Sequence, residues 1–317
     1  RPSHLGSGQL RPAIPVPSSL FRVRLAPIRQ MSMDGAHLDM YSIMKFHSIS
    51  VEEIMELELN GASRLCFVLG DPIAQVKSPA GVSEMLQARG KNALCIPGHV
   101  APADLAACWA GLKTLQNLDG VIITVPHKIT AIAMADRLSE RAAFLGAVNT
   151  LRRTADGWEG DMFDGLGHVS ALQKAGCTLE GRRAVLAGAG GAGSAIAHAL
   201  VLAGVSELAI HEMDDGRRNS LIDRLSSLGK AKVCAGSADP TGFDVVVNAT
   251  PAGMREGDPL PFDGDRLAPS MFIGEVITQP AVSPFVARAR QIGCRAITGI
   301  DMFVEVRDLM VDFLCAQ

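Results

Sequence analysis

The chain has 317 residues, 48% of them hydrophobic, and a formal net charge of −3. That much apolar material suffices for two cores of ordinary size, yet no uninterrupted apolar run reaches bilayer-spanning length, so no membrane partner is expected. No predicted helix carries a basic stripe to attract nucleic acid; the seven scattered cysteines, without Cys-x-x-Cys spacing, read as small core residues in a reducing, cytoplasmic setting, not as a disulfide frame or metal site.

Arg1 to Met33 holds arginines and prolines and no acidic residue, which is transit-peptide chemistry or that of a translated upstream region, with Met31 or Met33 as an expected start. Residues 1–50 are therefore read as an unstructured extension. Ser50 with Glu53 fits a capping box, while the alternation of Glu56 to Leu59 running into Asn60-Gly61 fits a hairpin, so helix and strand compete there.

From Arg64 to Leu151 strands and helices alternate, the pattern of a mostly parallel sheet covered on both faces. Strands are expected at Leu65–Leu69, Ala93–Ile96 and Val121–Ile123, and helices at Pro79–Ala88, at Leu105–Leu115 and from Lys128 through Met134. Ligands bind at the C-terminal ends of such strands, which singles out the polar stretches Gly70 to Pro79, Thr124 to Lys128, Gly146 to Thr150 and Gly160 to Gly165.

Further on, the strand Ala184–Ala187 meets Gly188-Ala189-Gly190-Gly191-Ala192-Gly193, then a small-residue helix from Ser194 to Ala203 and a second strand, Glu207–Ile210, ending at His211-Glu212. Gly-x-Gly-x-x-Gly between strand and helix allows a tight turn and brings backbone N–H groups to a pyrophosphate. Glu212 lies about 20 positions on, where a carboxylate receives an adenosine ribose.

These stretches, in this order and followed by Asn248-Ala249-Thr250-Pro251-Ala252-Gly253, resemble the shikimate dehydrogenase family over residues 64–315. The resemblance implies an α/β fold. Residues 51–163 would form an α/β substrate domain with a mostly parallel sheet, residues 164–298 a Rossmann-like NAD(P)-binding domain, and residues 299–317 a helix returning to the substrate domain. It also implies reversible hydride transfer between a nicotinamide cofactor and a ring secondary alcohol on a small hydroxy acid of shikimate or quinate type. By the same resemblance Lys128 is the catalytic lysine, Asp164 its partner, and Ser78, Thr124 and Asn149 contact substrate, with Val76 and Val306 at two further substrate positions. Thr250, Pro251, Val276, Gly299 and Met302 join the glycine run and Glu212 around the cofactor. A homodimer is left open.

The chemistry suits these residues. Oxidising an alcohol requires its hydroxyl proton to leave with the hydride, and a lysine serves as base and acid if its pKa, about 10.4 when free, is lowered by desolvation. Asp164 opposes that shift, so its role is to orient Lys128 and a substrate hydroxyl; a surface ion pair is the bland alternative. His127, beside Lys128, is expected to point elsewhere. Glu212 accepts the ribose hydroxyls of NAD but repels a 2′-phosphate, by roughly 4 kcal/mol before screening at about 4 Å and an effective dielectric near 20. NAD is therefore expected in preference to NADP, whose users in the family carry Asn-Arg-Thr or similar where this chain has Glu212-Met213-Asp214; Arg217 and Arg218, next to Asp214 and Asp215, read as a solvated helix start.

Several positions depart from the family pattern. Ser-x-Ser becomes Val76-x-Ser78, an asparagine becomes Ile122, Asn-Thr becomes Met162-Phe163, a tyrosine becomes Thr278 and a glutamine becomes Val306. Each lost hydrogen bond to a charged group is worth about 1.5 to 3 kcal/mol, so a more apolar pocket and a divergent, NAD-dependent paralogue are expected. A non-catalytic NAD-binding sensor and a dehydrogenase for a less polar alcohol are the alternatives; the pair Lys128 and Asp164 argues against the first.

Overall fold

The computed structural model describes residues 59–316, so the extension and the Ser50–Glu53 capping box lie outside the described residues. Gly61 is in a turn and the strand after it pairs with later strands on both sides; the alternation from Glu56 to Glu58 lies outside the described residues. The first half contains β1 (Arg64–Gly70), α1 (Ser78–Ala88), β2 (Ala93–His99), α2 (Leu105–Leu112), β3 (Leu118–Ile123), β4 (Arg137–Leu138), α3 (Glu140–Leu145), β5 (Thr150–Thr154) and β6 (Gly157–Asp161). After α4 (Asp164–Lys174) come β7 (Arg183–Ala187), α5 (Gly191–Leu202), β8 (Glu207–His211), α6 (Asp215–Ser226), β9 (Lys232–Ala235), β10 (Val245–Asn248), β11 (Phe272–Glu275), α7 (Pro284–Ile292), β12 (Arg295–Ala296) and α8 (Gly299–Cys315).

Two sheets result. The second, in the order β12-β11-β10-β7-β8-β9, is parallel throughout and has the doubly wound Rossmann order, with its switch point between β7 and β10. The first runs β2-β1-β3-β5-β6-β4; its β1–β2, β1–β3 and β4–β6 pairings are parallel, and β3–β5 and β5–β6 are antiparallel. Strands covered on both faces read as near-continuous apolar runs, as β7 and β10 do. Along β7, Ala184 and Leu186 face the core that includes Ile196 and Leu200 of α5, whereas Val185 and Ala187 face Phe262 and Phe285.

Two expectations are corrected. The helix from Lys128 through Met134 is a turn followed by a short 3₁₀ segment, Thr130–Met134. The Lys128 carbonyl is taken out of any helical ladder by the Val148 N–H at 2.9 Å, and Ile129, Thr130 and Ile132 are β-branched. The small-residue helix starts at Gly191 and not at Ser194. The β5–β6 hairpin is an element the alternation of strands and helices does not predict: Asp156-Gly157 at its turn is a hairpin signal, but the Thr-Leu-Arg-Arg-Thr and Gly-Trp-Glu-Gly-Asp runs beside it lack a clean apolar alternation.

α8 opens on a capping box in which the Asp301 carboxylate accepts the Thr298 N–H at 2.7 Å and Thr298 Oγ1 accepts the Asp301 N–H at 3.3 Å. It then runs along the first sheet's side of the molecule, with Phe303 and Arg307 beside Gly81 of α1 and Leu314 over Gly120 of β3. Arg152 of β5 donates to the Phe313 carbonyl at 3.2 Å. One continuous core therefore joins residues of both halves, from Val68 and Ile122 through Phe163 and Val306 to Leu200 and Val247.

Candidate active site

The β5–β6 hairpin explains how distant motifs meet. Asn149, at the entry to β5, donates its N–H to the Asp161 carbonyl at 2.9 Å, and its own carbonyl accepts the Ile123 N–H of β3 at 2.7 Å. Its side chain bridges the hairpin exit, Oδ1 accepting the Phe163 N–H at 3.1 Å and Nδ2 donating to Asp164 Oδ1 at 2.7 Å. Lys128 Nζ donates to the other oxygen, Asp164 Oδ2. The side chains of Lys128 and Asp164 are 13% and 6% exposed, so this pair is not a surface ion pair. Asp164 is also the first residue of α4, where the helix dipole favours an acidic side chain and Phe163 provides no side-chain cap.

Behind this cluster is a second buried carboxylate to which the sequence reading gave no role. Asp161 accepts from Ser139 Oγ, from Arg141 Nη2 at 2.6 Å and from the Met162 N–H at 2.7 Å. Arg141 in turn lies 5.2 Å from the centre of the Phe163 ring, fixing the segment that carries Asp164. The polar Gly160 to Gly165 stretch hinted at Asp161, but nothing in sequence points to its partners some twenty residues upstream.

His127 is buried and donates Nε2–H to the Val100 carbonyl at 2.7 Å, facing away from Lys128 as expected. Thr124 lies beyond β3 with its methyl group on Gly70, and Ser78 is buried in the first turn of α1. Val76 packs on the core that holds Ile122 and Phe163. Val306 is 6% exposed and presses on Gly167 of α4, one turn beyond Asp164, so it fills the α4–α8 interface. Of the expected substrate group, Lys128, Asp164 and Asn149 are joined by direct contact. Glu305 lies on the α4 side of α8, accepting from Ser170 and Lys174, both at 2.6 Å, while Arg307 pairs with Asp308 at 2.8 Å.

The glycine run fits a pyrophosphate. Gly188 takes φ +97° after β7, and Gly193 packs on the Gly188 carbonyl so closely that no Cβ fits. Gly190 caps α5 without a side-chain acceptor, and the first turn has no acidic residue, which leaves its N–H groups for an anion. A Cβ on Gly191 would stand 3.3 Å from Lys128 Cβ, so the glycine loop lies close against the lysine stem. Glu212 accepts the Ala189 N–H at 2.9 Å and the Asp214 N–H at 3.1 Å; burial alone would raise its pKa, but these donors hold it below the usual carboxylate range. Asp214 caps α6, and Arg217 and Arg218 pair with Asp214 at 3.4 Å and Asp215 at 2.8 Å.

Thr250 donates to Asn248 Oδ1 at 2.7 Å, Pro251 is exposed and Val276 is half-buried. Gly299 is buried against the Val276 and Ile277 carbonyls. Met302 is buried with Sδ 3.4 Å from Nδ1 of His168, a fully buried imidazole whose pKa burial pushes down to about 3. Among the described residues, no group of three His, Cys, Asp or Glu side chains is placed to hold a metal ion, and no helix is long and apolar enough to cross a membrane.

Comparison with known proteins converges on one family. The family profile described as "Shikimate dehydrogenase substrate binding domain" matches residues 68–151. The chain is 39% identical over 247 residues to shikimate dehydrogenase (NADP(+)) of Rubrobacter xylanophilus, covering 76% of this chain and 87% of that protein. Its fold is similar to that of quinate dehydrogenase from Corynebacterium glutamicum in complex with NAD, at 28% identity and a TM-score of 0.72, over 80% of this chain and 94% of that one. The ligand-free 5-ketofructose reductase of Gluconobacter sp. strain CHM43 is similar at 27% identity and a TM-score of 0.72, over 80% and 94% of the respective chains.

Proposed function

The chain belongs to the shikimate dehydrogenase family, and from that premise we propose that it interconverts a shikimate- or quinate-like ring alcohol and its ketone using NAD. It is an oxidoreductase of shikimate dehydrogenase type acting on a ring alcohol with a nicotinamide cofactor. The observation that carries the finer reading is the Lys128–Asp164–Asn149 cluster abutting Gly191 of the phosphate loop.

The cofactor, when bound, supplies the hydride acceptor or donor. The chain's own residues handle the proton: Lys128 Nζ receives it from the substrate hydroxyl as the alcohol is oxidised and returns it in the reverse direction. Asp164, held by Asn149, fixes the direction of Nζ and has its remaining acceptor capacity for a substrate hydroxyl. The glycine run and the α5 N-terminus take the pyrophosphate, and Glu212 takes the adenosine ribose. The choice of NAD rests on Glu212 and on the pairing of Arg217 and Arg218 with aspartates, which leaves neither guanidinium committed to a 2′-phosphate.

A panel of cyclic hydroxy acids with NAD and with NADP, followed by absorbance of the reduced cofactor, tests this. Turnover of shikimate or quinate, faster with NAD, is expected; no turnover of any ring hydroxy acid rejects the substrate reading, and faster turnover with NADP rejects the cofactor reading. A second reading, a ring alcohol lacking the carboxylate, is favoured by Val76 and by buried Ile122 and Phe163 on this side of the core. The same panel with neutral polyols separates the two.

A further inference from the structure

Asn248 and Glu275 are register partners at the C-terminal ends of β10 and β11, and both are fully buried. Glu275 Oε1 accepts the Asn248 side chain at 3.0 Å, the Val276 N–H at 2.8 Å and the Ile277 N–H at 3.1 Å. Its Oε2 accepts Ser283 Oγ at 2.6 Å and lies 3.2 Å from Asn248 Nδ2. Asn248 passes the order on: its Oδ1 accepts both the N–H and the hydroxyl of Thr250, at 3.0 and 2.7 Å, and its Nδ2 reaches the Ala252 carbonyl at 3.3 Å. Thr250 Oγ1 then accepts the Ala252 N–H at 3.1 Å.

A carboxylate this deep is costly, and here only neutral donors face it. A fold needing just a filled space would be served by an apolar side chain. What the position demands is an acceptor-only group, because two side chains and two backbone N–H groups converge on it; a glutamine would turn an NH₂ towards one of those donors. The donors belong to the last residue of β10, the turn after β11 and the cap of α7, and the turn after β11 also carries the carbonyls on which Gly299 packs.

The strand order gives this hub its function. Glu212 follows β8, the glycine run follows β7, and β10 and β11 lie on the far side of β7 from β8. A dinucleotide with its adenosine at Glu212 and its pyrophosphate on the glycine run extends its other half across the loops after β10 and β11. Resting on the dinucleotide reading above, we propose that Glu275 is a positioning residue for the nicotinamide half of the cofactor, acting through Asn248 on the Thr250–Ala252 loop and directly on the Val276–Ile277 turn.

Calorimetric titration of wild type, Glu275→Gln and Glu275→Asp with NAD and with ADP, beside thermal unfolding, tests this. Glu275→Gln is expected to weaken NAD binding about tenfold or more while ADP, which lacks the nicotinamide half, binds within about twofold of wild type. Glu275→Asp, which keeps an acceptor-only group, should recover part of the loss. If Glu275→Gln does not fold, Ser283→Ala removes one donor and should show the same NAD-selective weakening by about threefold. Unchanged NAD affinity, or equal losses for NAD and ADP, overturns the inference alone. A wild-type protein that binds neither ligand overturns the dinucleotide reading and this inference with it.

Discussion

Asn149 donates to Asp164 Oδ1 at 2.7 Å, the carboxylate oxygen opposite the one that faces Lys128. Held on both sides, the Asp164 carboxylate cannot rotate without giving up a buried hydrogen bond, and the direction in which Nζ is presented is set by a residue fifteen positions earlier.

Lys128→Ala is expected to lower kcat by at least about a hundredfold with NAD affinity nearly unchanged, as for a group that moves a proton in the reaction. Asp164→Asn should be similarly damaging, and partly through KM. Asn149→Ala, which frees the carboxylate without removing it, should cost less, about tenfold in kcat. Steady-state kinetics with calorimetry on each variant decides this; near wild-type turnover by Lys128→Ala would remove the lysine from the reaction.

Glu212→Arg, with Met213→Ser to make room, is expected to shift preference from NAD towards NADP by removing a repulsion and adding an attraction. The change also withdraws the acceptor of the Ala189 N–H, so some loss of affinity for both cofactors should accompany it. Tighter calorimetric binding of NADP than NAD by the wild type contradicts the assignment of Glu212.

Val76→Ser should place a second hydroxyl near Ser78 and raise kcat/KM for shikimate by roughly 10- to 100-fold, equivalent to about 1.5 to 3 kcal/mol and seen mainly in KM. Val306→Gln should not add to it. Val306 fills the tight α4–α8 contact at Gly167, so an amide there is expected to lower the melting temperature. No gain with Val76→Ser in a stably folded variant would show that position 76 does not limit recognition of the carboxylate.

Acid sensitivity should trace in part to His168. Folded, it stays neutral down to about 3; unfolded, it protonates below its ordinary 6.5, so between those values the unfolded chain binds more protons and stability falls as pH falls. At about 1.4 kcal/mol per pH unit, the cost at pH 5 is about 2 kcal/mol, and above 6.5 it vanishes. Urea unfolding of wild type and His168→Leu at pH 7 and pH 5 measures this. The variant should lose about 2 kcal/mol less than wild type between the two, whatever its absolute stability, and equal losses would show that His168 does not titrate on unfolding.

The strands and glycine run were legible because their signals are local: apolar runs bounded by turn residues, and glycines where a strand meets a helix. Lys128, Asp164 and Asn149 were legible as sequence stretches, but their convergence depends on the β5–β6 hairpin, which only the Asp156-Gly157 turn signals and whose strands lack apolar alternation. Asp161 with Arg141, and Glu275 with Asn248 and Ser283, were harder. Each is a buried carboxylate whose meaning lies in donors from other elements, and long-range pairing leaves no periodicity to read. Val306 shows the converse, since a matched position on the last helix says nothing of how closely α4 approaches.

A Cβ at Gly191 would stand 3.3 Å from Lys128 Cβ, and that close approach makes the two halves of this enzyme less interchangeable than their separate sheets suggest. Grafting a phosphate loop from another dehydrogenase, with alanine or serine at this point, would satisfy the nucleotide and still crowd the lysine. The expected chimera binds dinucleotide normally but reacts slowly, because the added methyl group presses on the Lys128 stem and shifts its Nζ. Whoever recombines such domains therefore has to match them across the seam, residue against residue, and not at the linker alone.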